Sequence, residues 1–312
     1  MKGLVNSEDY RVKATEQSHR IGASRIAIYF WNAVPFWNGV LYTVAMAGGL
    51  VDKTFTVIKL LSEAPDGLTL AEVADLSDMP KSAVHRLLGE LIRLQLVRQD
   101  SAGGSYFLSM GLLSIAFQHL ARIGVVDASM PILEKLAKST GELVRLGIVD
   151  FDRQVWVAKA QGAKSGLIYD PQMGDVAHLS CMASGHAWLA YIDQNAAIKL
   201  VGAQGLYLPG KFGPNAPRTL QQLLDRLEKV RSFGYAIVID SSAPGMSAIA
   251  APVFHPINRS VVGTVSVGGP TSRLDEEKLH KIAPEVLDAS ARLSDFFAAS
   301  PYLISANPHL PG

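Results

Sequence analysis

Lys81, Ser82, His85 and Arg86 stand close together in the stretch "PKSAVHRLLGELIRLQLV". At helical spacing they share one side of a helix whose other side carries Val84, Leu87, Leu88, Leu91 and Leu94. Short polar and cationic side chains near a helix N-terminus suit one chemistry well: hydrogen bonding to base edges and phosphates in the major groove of duplex DNA. Arg93 and Arg98 extend the basic side, and Glu90 is the only acid from 81 to 98. By position, Ser82, His85 and Arg86 are expected near base edges and Lys81 at a phosphate. Arg98, or the glycines after it, is expected on the DNA backbone. Two plainer readings stay open. Arg86 can pair with Glu90, four residues on, and a helix pair of this kind can be a structural or docking module.

A second group is His178, Cys181 and His186, an H-x2-C-x4-H spacing that could ligate a metal or activate a thiolate. No fourth ligand stands nearby, and a thiol in an apolar loop is usually inert. Neither metal nor cofactor is therefore expected. The chain has no Walker loop, no G-x-G-x-x-G after a strand, no G-x-S-x-G elbow and no zinc-protease spacing. Its single cysteine excludes an intramolecular disulfide and fits a reducing compartment, with a cytoplasmic location expected.

The elements that must position these residues follow from local signals. Phe55, Ile58, Leu60 and Leu61 give helical spacing, and "SEAPDG" ends that helix. Thr69 and Glu72 form a capping box for "LAEVADLS", with Leu70, Val73 and Ala74 facing inward. Ala74 is small where two helices must cross, Asp78 tolerates the positive φ of a tight turn, and Pro80 opens the next helix. "LVRQDSAGGSYFLS" then reads as a hairpin around Ala102-Gly103-Gly104. Helix, helix, turn, helix and hairpin make a winged helix-turn-helix plan. "GLLSIAFQHLARIG" is a further amphipathic helix with Leu112, Leu113, Ile115, Ala116 and Leu120 on one side, suited to linking two domains and to dimerising. Beyond Met130 the pattern is mixed. Two strands meet near Asp150 to Arg153, and a loop leads into the buried helix of "SCMASGHAWLA". A helix then ends at Gly234, three apolar strands follow, and a charged helix closes the chain. Late strands flanked by helices imply an antiparallel sheet with helices on its faces, the shape of a small-molecule sensor.

A chain of 312 residues with 48% hydrophobic content is long enough for two domains. The net charge of +1 argues for neither nucleic acid nor an acidic partner globally, so any basic footprint is local. Residues 26–51 hold no charged side chain, and that length would span a bilayer. Asn32, Pro35, Asn38 and the glycines near the end of this run weaken a membrane reading. Three readings remain: an anchor, an apolar arm on a partner subunit, or sequence upstream of a true start at Met46. An arm or an upstream sequence is favoured, and membrane association is not expected. The expected division is an atypical extension (1–49), the winged helix-turn-helix (50–110), a linker and dimerisation helix (111–129), an effector-binding domain (130–298) and a tail (299–312).

"LTLAEVADLSDMPKSAVHRLLGELIRLQLVRQDSAGGSYFLSMGLLSIA" resembles the DNA-binding half of IclR-type transcriptional regulators. "LSCMASGHAWLA" is similar to a loop-and-helix segment of their effector domain, and "GYAIVIDSSAPGMSAIAAPVF" and "VVGTVSVGGPTSRL" to their final strands. The likeness runs from about Asp52 to Phe297. It implies an α+β protein with a winged helix-turn-helix domain, a linker helix and a GAF-like α/β effector-binding domain. It implies dimers or tetramers, double-stranded operator DNA as partner, and a small organic acid or aromatic catabolite as effector. Carried over by position, the effector site is Met182, Ala183, Ser184, Ala248, Ser266 and Gly268, with Asp240 as a further candidate. Backbone amides and a Ser hydroxyl could then hold a carboxylate without a buried cation, with Met182 and Trp188 as an apolar wall. The alternative is that the alanines only pack and Ser266 only caps a strand. The chain departs from the family at Asp78, where Gly is usual, at His186 for Lys and at Ser180 for His. Ser241 or Ser242, beside Asp240, stands where an acid is usual. Most of these changes ring the expected pocket, so ligand identity does not carry over. A thiol- or metal-dependent enzyme with a docking module, and a membrane-tethered sensor, are the rival readings.

Overall fold

The computed structural model describes residues 49–100, 104–171, 173–207 and 210–298. Nearly all of the apolar run from residue 26, and the tail from residue 299, lie outside the described residues.

Helix α1 (Leu50–Ser62) turns Val57, Ile58 and Leu61 inward, while Phe55, expected on that side, is exposed. Helix α2 (Leu70–Ser77) starts at the capping box. The Thr69 hydroxyl accepts from the Glu72 amide at 3.3 Å, and the Glu72 carboxylate accepts from the Thr69 amide at 2.8 Å. Asp78 ends it in the left-handed conformation, φ 51°, and turns the chain into α3 (Lys81–Arg93) after Pro80. Helix α3 is shorter than its apolar pattern: Gln95 takes a φ of 58°, and Leu94 is exposed instead of joining the buried stripe. Strands β1 (Val97–Gln99) and β2 (Tyr106–Leu108) pair antiparallel, and Leu68 exchanges both backbone bonds with Tyr106 in an isolated bridge at the edge of this hairpin. Val57, Leu61, Val73, Val84, Leu88, Leu91, Val97 and Tyr106 form the core beneath.

Helix α4 (Met110–Ile123) is capped by Ser109 and stopped by Gly124 at φ 69°. Helix α5 (Val125–Thr140) begins at once, five residues before Met130, and buries Val125 and Ser129. The sheet is antiparallel with order β4-β3-β7-β6-β5, formed by β3 (Leu143–Asp150), β4 (Arg153–Gln161), β5 (Ala236–Ile239), β6 (Met246–Phe254) and β7 (Val261–Pro270). Side chains alternate between faces. Val144, Leu146, Ile249, Ala251, Val265 and Val267 pack against α5 and the long helix α9 (Glu276–Ala298). Ala236, Val238 and Ala250 face the layer of α6 (Ala183–Leu189), α7 (Gln194–Gln204) and α8 (Leu220–Phe233). Helices on both faces of a five-stranded antiparallel sheet, behind a winged helix, make the α+β architecture expected. Helix α7 was not expected, because its sequence is weakly amphipathic and buries only Ala197 and Val201; Asp193 caps it.

Candidate nucleic-acid interface and effector pocket

Val84, Leu87, Leu88 and Leu91 fix the roll of α3 by burying one side of it. Lys81, Ser82, His85 and Arg86 consequently all lie exposed on the other side. Glu90 does not hold Arg86: it pairs with Arg93, whose guanidinium reaches its carboxylate at 2.8 Å. Arg98 is exposed on β1 with its guanidinium 4.4 Å from the centre of the Phe107 ring, so the wing strand holds this cation in a fixed direction. The hairpin tip at 101–103 lies outside the described residues, and Gly104 beside it has a φ of 80°.

The second site lies on the helix α6 side of the sheet. Arg145 on β3 and Ser266 on β7 are register partners, and Ser266 in turn faces Ala250 on β6. Directly opposed residues put their side chains on one face, about 4.5–5.5 Å apart at Cβ. Two positions along, Gly268 opposes Ala248. A Cβ on Gly268 would be in ordinary contact with Ala248 at 3.8 Å and the Tyr169 ring at 3.9 Å, which places Gly268 directly beside Tyr169. The loop carrying Tyr169 is tied down at three places. Lys159 bonds Asp170 at 2.6 Å, the Gln161 side chain donates to the Tyr169 carbonyl at 3.0 Å, and Arg273 bridges Glu142 at 2.8 Å and the Leu167 carbonyl at 3.0 Å. Trp156 closes another side, in a buried cluster with Cys181, Met182 and Phe212.

The Arg145 guanidinium lies 3.8 Å from the Trp156 ring centre and 5.8 Å from that of Tyr169. Burial pulls its pKa below the ordinary guanidinium value, while Tyr169 and Asp175 act in the opposite sense. Burial likewise raises the Asp175 carboxyl, and Arg145 counteracts it. Among the described residues no carboxylate lies within 4 Å of Arg145.

Helix α6 is buried over all seven residues. Gly185 permits this, because a Cβ there would collide with the carbonyl of Leu179 in the preceding loop. Ser184 is 2% exposed and its hydroxyl has no hydrogen-bond partner among the described residues. Met182 and Ala183 are buried beside it. The expectation fails at one side chain. Trp188 is sealed in the helical core with Leu179, Leu227 and Val230, so the ring beside Met182 is Trp156. Asp240, at φ 51°, accepts from the Gly245 amide at 2.6 Å, so its carboxylate closes the turn between β5 and β6. An open groove of about 980 Å³ along α8 and β5, lined by Arg218, Arg226, Lys229, Phe233, Tyr235 and His280, shares none of the expected effector residues.

The histidine–cysteine cluster is arranged for packing. The His186 ring bonds the Ser180 carbonyl at 2.7 Å, and the His178 ring contacts Ser180 Oγ at 3.0 Å and packs edge-on against Phe212. Burial lowers both histidines to about 4 and pushes the Cys181 thiol up to about 12. Near neutral pH the imidazoles are therefore neutral and the thiol is protonated, a poor nucleophile. No group of three or more His, Cys, Asp or Glu able to hold a metal occurs among the described residues.

The model of the IclR helix-turn-helix domain matches residues 50–101, and that of the bacterial transcriptional regulator IclR C-terminal domain matches residues 117–295. The chain belongs to the IclR family of bacterial transcriptional regulators. Among its relatives, the HTH-type transcriptional regulator BhcR of Paracoccus denitrificans is 28% identical over 254 residues, covering 80% of this chain and 88% of BhcR. The crystal structure of an IclR regulator from Alicyclobacillus acidocaldarius superposes with a TM-score of 0.69 at 25% identity, covering 79% of this chain and 98% of that one. An IclR homologue from Microbacterium hydrocarbonoxydans, solved in complex with 4-hydroxybenzoate, shares the fold: TM-score 0.67, 15% identity, 81% of this chain and all of the other.

Within this IclR-type fold, Met182, Ala248, Ser266 and Gly268 converge with Trp156 and Tyr169, and Ala183 and Ser184 lie at the start of α6, which packs on β6 and β7. Sequence reasoning missed Arg145, Trp156 and Tyr169. The one signal for Arg145 was a cation in the middle of the otherwise apolar strand "LVRLGIV", a position where charge is costly unless it is used.

Proposed function

We propose that this IclR-type regulator binds double-stranded operator DNA with Ser82, His85 and Arg86 at base edges, Lys81 at a phosphate and Arg98 of the wing on the backbone. A small organic or aromatic acid, held by Met182, Ala183, Ser184, Ala248, Ser266 and Gly268, changes that binding and so controls a catabolic operon in the cytoplasm. The observation that carries this reading is the roll of α3. Four buried aliphatic residues leave Lys81, Ser82, His85 and Arg86 together in solvent. An effector shifts DNA affinity only if it favours one arrangement of the winged helices over another. The 4-hydroxybenzoate complex of the Microbacterium homologue makes aromatic acids the first ligands to try.

The reading includes a homodimer or tetramer joined through α4. That helix buries none of its residues and exposes Met110, Leu113, Ile115 and Phe117. Pairing two winged helices on two half-sites raises affinity beyond what one weakly basic domain supplies. The reading keeps domains of 50–110 and 130–298 joined by 111–129, and no catalytic step is part of it. Among the described residues, no helix is long and apolar enough to cross a membrane. Gel shifts on the DNA upstream of the gene and its neighbours, with and without aromatic and short keto acids, test the proposal. Retarded bands that respond to an acid are expected; a folded protein that retards none of these fragments overturns it.

A further inference from the structure

Resting on the acid-sensing reading above, we propose that Arg145 is the specificity-determining residue for the effector. Its guanidinium, set on the sheet face between Trp156 and Tyr169 with Ser266 beside it, takes the ligand's carboxylate, so the effector must be an anion.

Three observations meet at this residue. Arg145 shares the pocket face with Lys159, its register partner on β4; Lys159 is paired with Asp170, whereas Arg145 is partly buried with its guanidinium against the Trp156 ring and no carboxylate within 4 Å among the described residues. An internal ion pair would have used that charge. The carboxylate acting on it, Asp175, lies beyond ion-pair distance. Second, the guanidinium presents its five donors at its edge, in its own plane; the Tyr169 side chain engages part of that edge, and the Trp156 ring against the face leaves the remaining donors for a carboxylate. Third, the hydroxyls available to share that anion are already buried. Ser266, directly across from Arg145, is 4% exposed, and the buried Ser184 hydroxyl at the start of α6 has no hydrogen-bond partner among the described residues. Gly268 and Ala248 present only small or no side chains on the floor beside them.

A purely structural Arg145 would hold Trp156 and Tyr169 in place, and its loss would unfold the sheet. A binding Arg145 behaves differently: without ligand it is a desolvated charge, and an isosteric apolar chain is at least as stable there. The test uses the full chain, Arg145→Met and Asp175→Asn. Thermal midpoints are measured with millimolar 4-hydroxybenzoate, benzoate or pyruvate, each against its own amide. The proposal expects at least one acid to raise the wild-type midpoint while its amide does not. That rise is absent in Arg145→Met and larger in Asp175→Asn, where the competing carboxylate is gone. An amide that matches its acid, or an acid that stabilises Arg145→Met as it does the wild type, overturns it. If none of the six compounds moves the wild type, the ligand-free midpoints decide. Arg145→Met melting at or above wild type supports the proposal, and melting below it overturns the proposal. The regulator reading fails separately. An acid that binds through Arg145 without changing DNA retardation sinks the switch and leaves the anion site standing.

Discussion

The winged helix and the sheet domain both use positive charge, in opposite ways. Lys81, His85 and Arg86 lie in solvent on a helix whose fold does not depend on them, while Arg145 is enclosed by Trp156 and Tyr169. An exposed cation costs little to keep and gains from the dense charge of a phosphate backbone, so its contribution falls with salt. An enclosed cation is costly to keep, and in return it discriminates sharply between a partner with a carboxylate and one without. Surface charge suits a long polyanion approached from outside, and enclosed charge suits a small anion chosen among similar molecules.

The comparison can be broken in order of expected effect. The largest concerns α4, where Leu113→Asp with Phe117→Asp, four residues apart on one side of the helix, places charge on the exposed apolar face that this account assigns to dimerisation. Affinity for upstream DNA should drop on the order of 10²–10⁴-fold as two half-site contacts become one. Sedimentation should show the smaller species; an unchanged oligomer removes α4 from the interface.

Next is acid stability of the sheet domain. His178 and His186 are held neutral, with folded pKa values lowered to about 4 from an ordinary 6.5. The unfolded chain takes up these protons first as pH falls. Their stabilisation is thus complete above pH 6.5 and is lost as pH drops from there to about 4. The slope is up to about 1.4 kcal/mol per pH unit for each ring. His178→Phe, which keeps a ring against Phe212, should flatten that limb in fluorescence-detected melts. A melt profile identical to wild type would show that His178 titrates normally.

The smallest effect is Lys81→Gln. One lost phosphate contact should lower the salt slope of log affinity by about 1 and leave sequence preference intact. A change in preferred sequence instead would move Lys81 to a base edge.

Much of the winged helix was legible because its signals are local. The Thr69–Glu72 box, the αL turn at Asp78 and the stripe through Val84, Leu88 and Leu91 each span a few residues. Local signals misled at both ends of their reach. Leu94 kept the period after Gln95 had broken the helix, and Phe55 kept it on a side the core does not cover. The pocket was only partly legible. Its glycine and serines came from resemblance. Arg145 depends on β3 lying beside β7, a pairing of positions over a hundred residues apart that no local pattern encodes. The bond from the Gly245 amide to the Asp240 carboxylate is likewise a contact of turn geometry that no apolar pattern announces.

The central claim is that the free side of α3 is the surface that meets DNA. It is tested most directly by fluorescence anisotropy of an upstream duplex titrated with wild type and with Arg86→Ala, alongside thermal midpoints of both proteins. Arg86 is exposed and unpaired with Glu90, so the midpoint should hold while affinity falls by about 1–3 kcal/mol, the value of a bidentate guanine contact. Wild-type affinity in Arg86→Ala, at an equal midpoint, would contradict it.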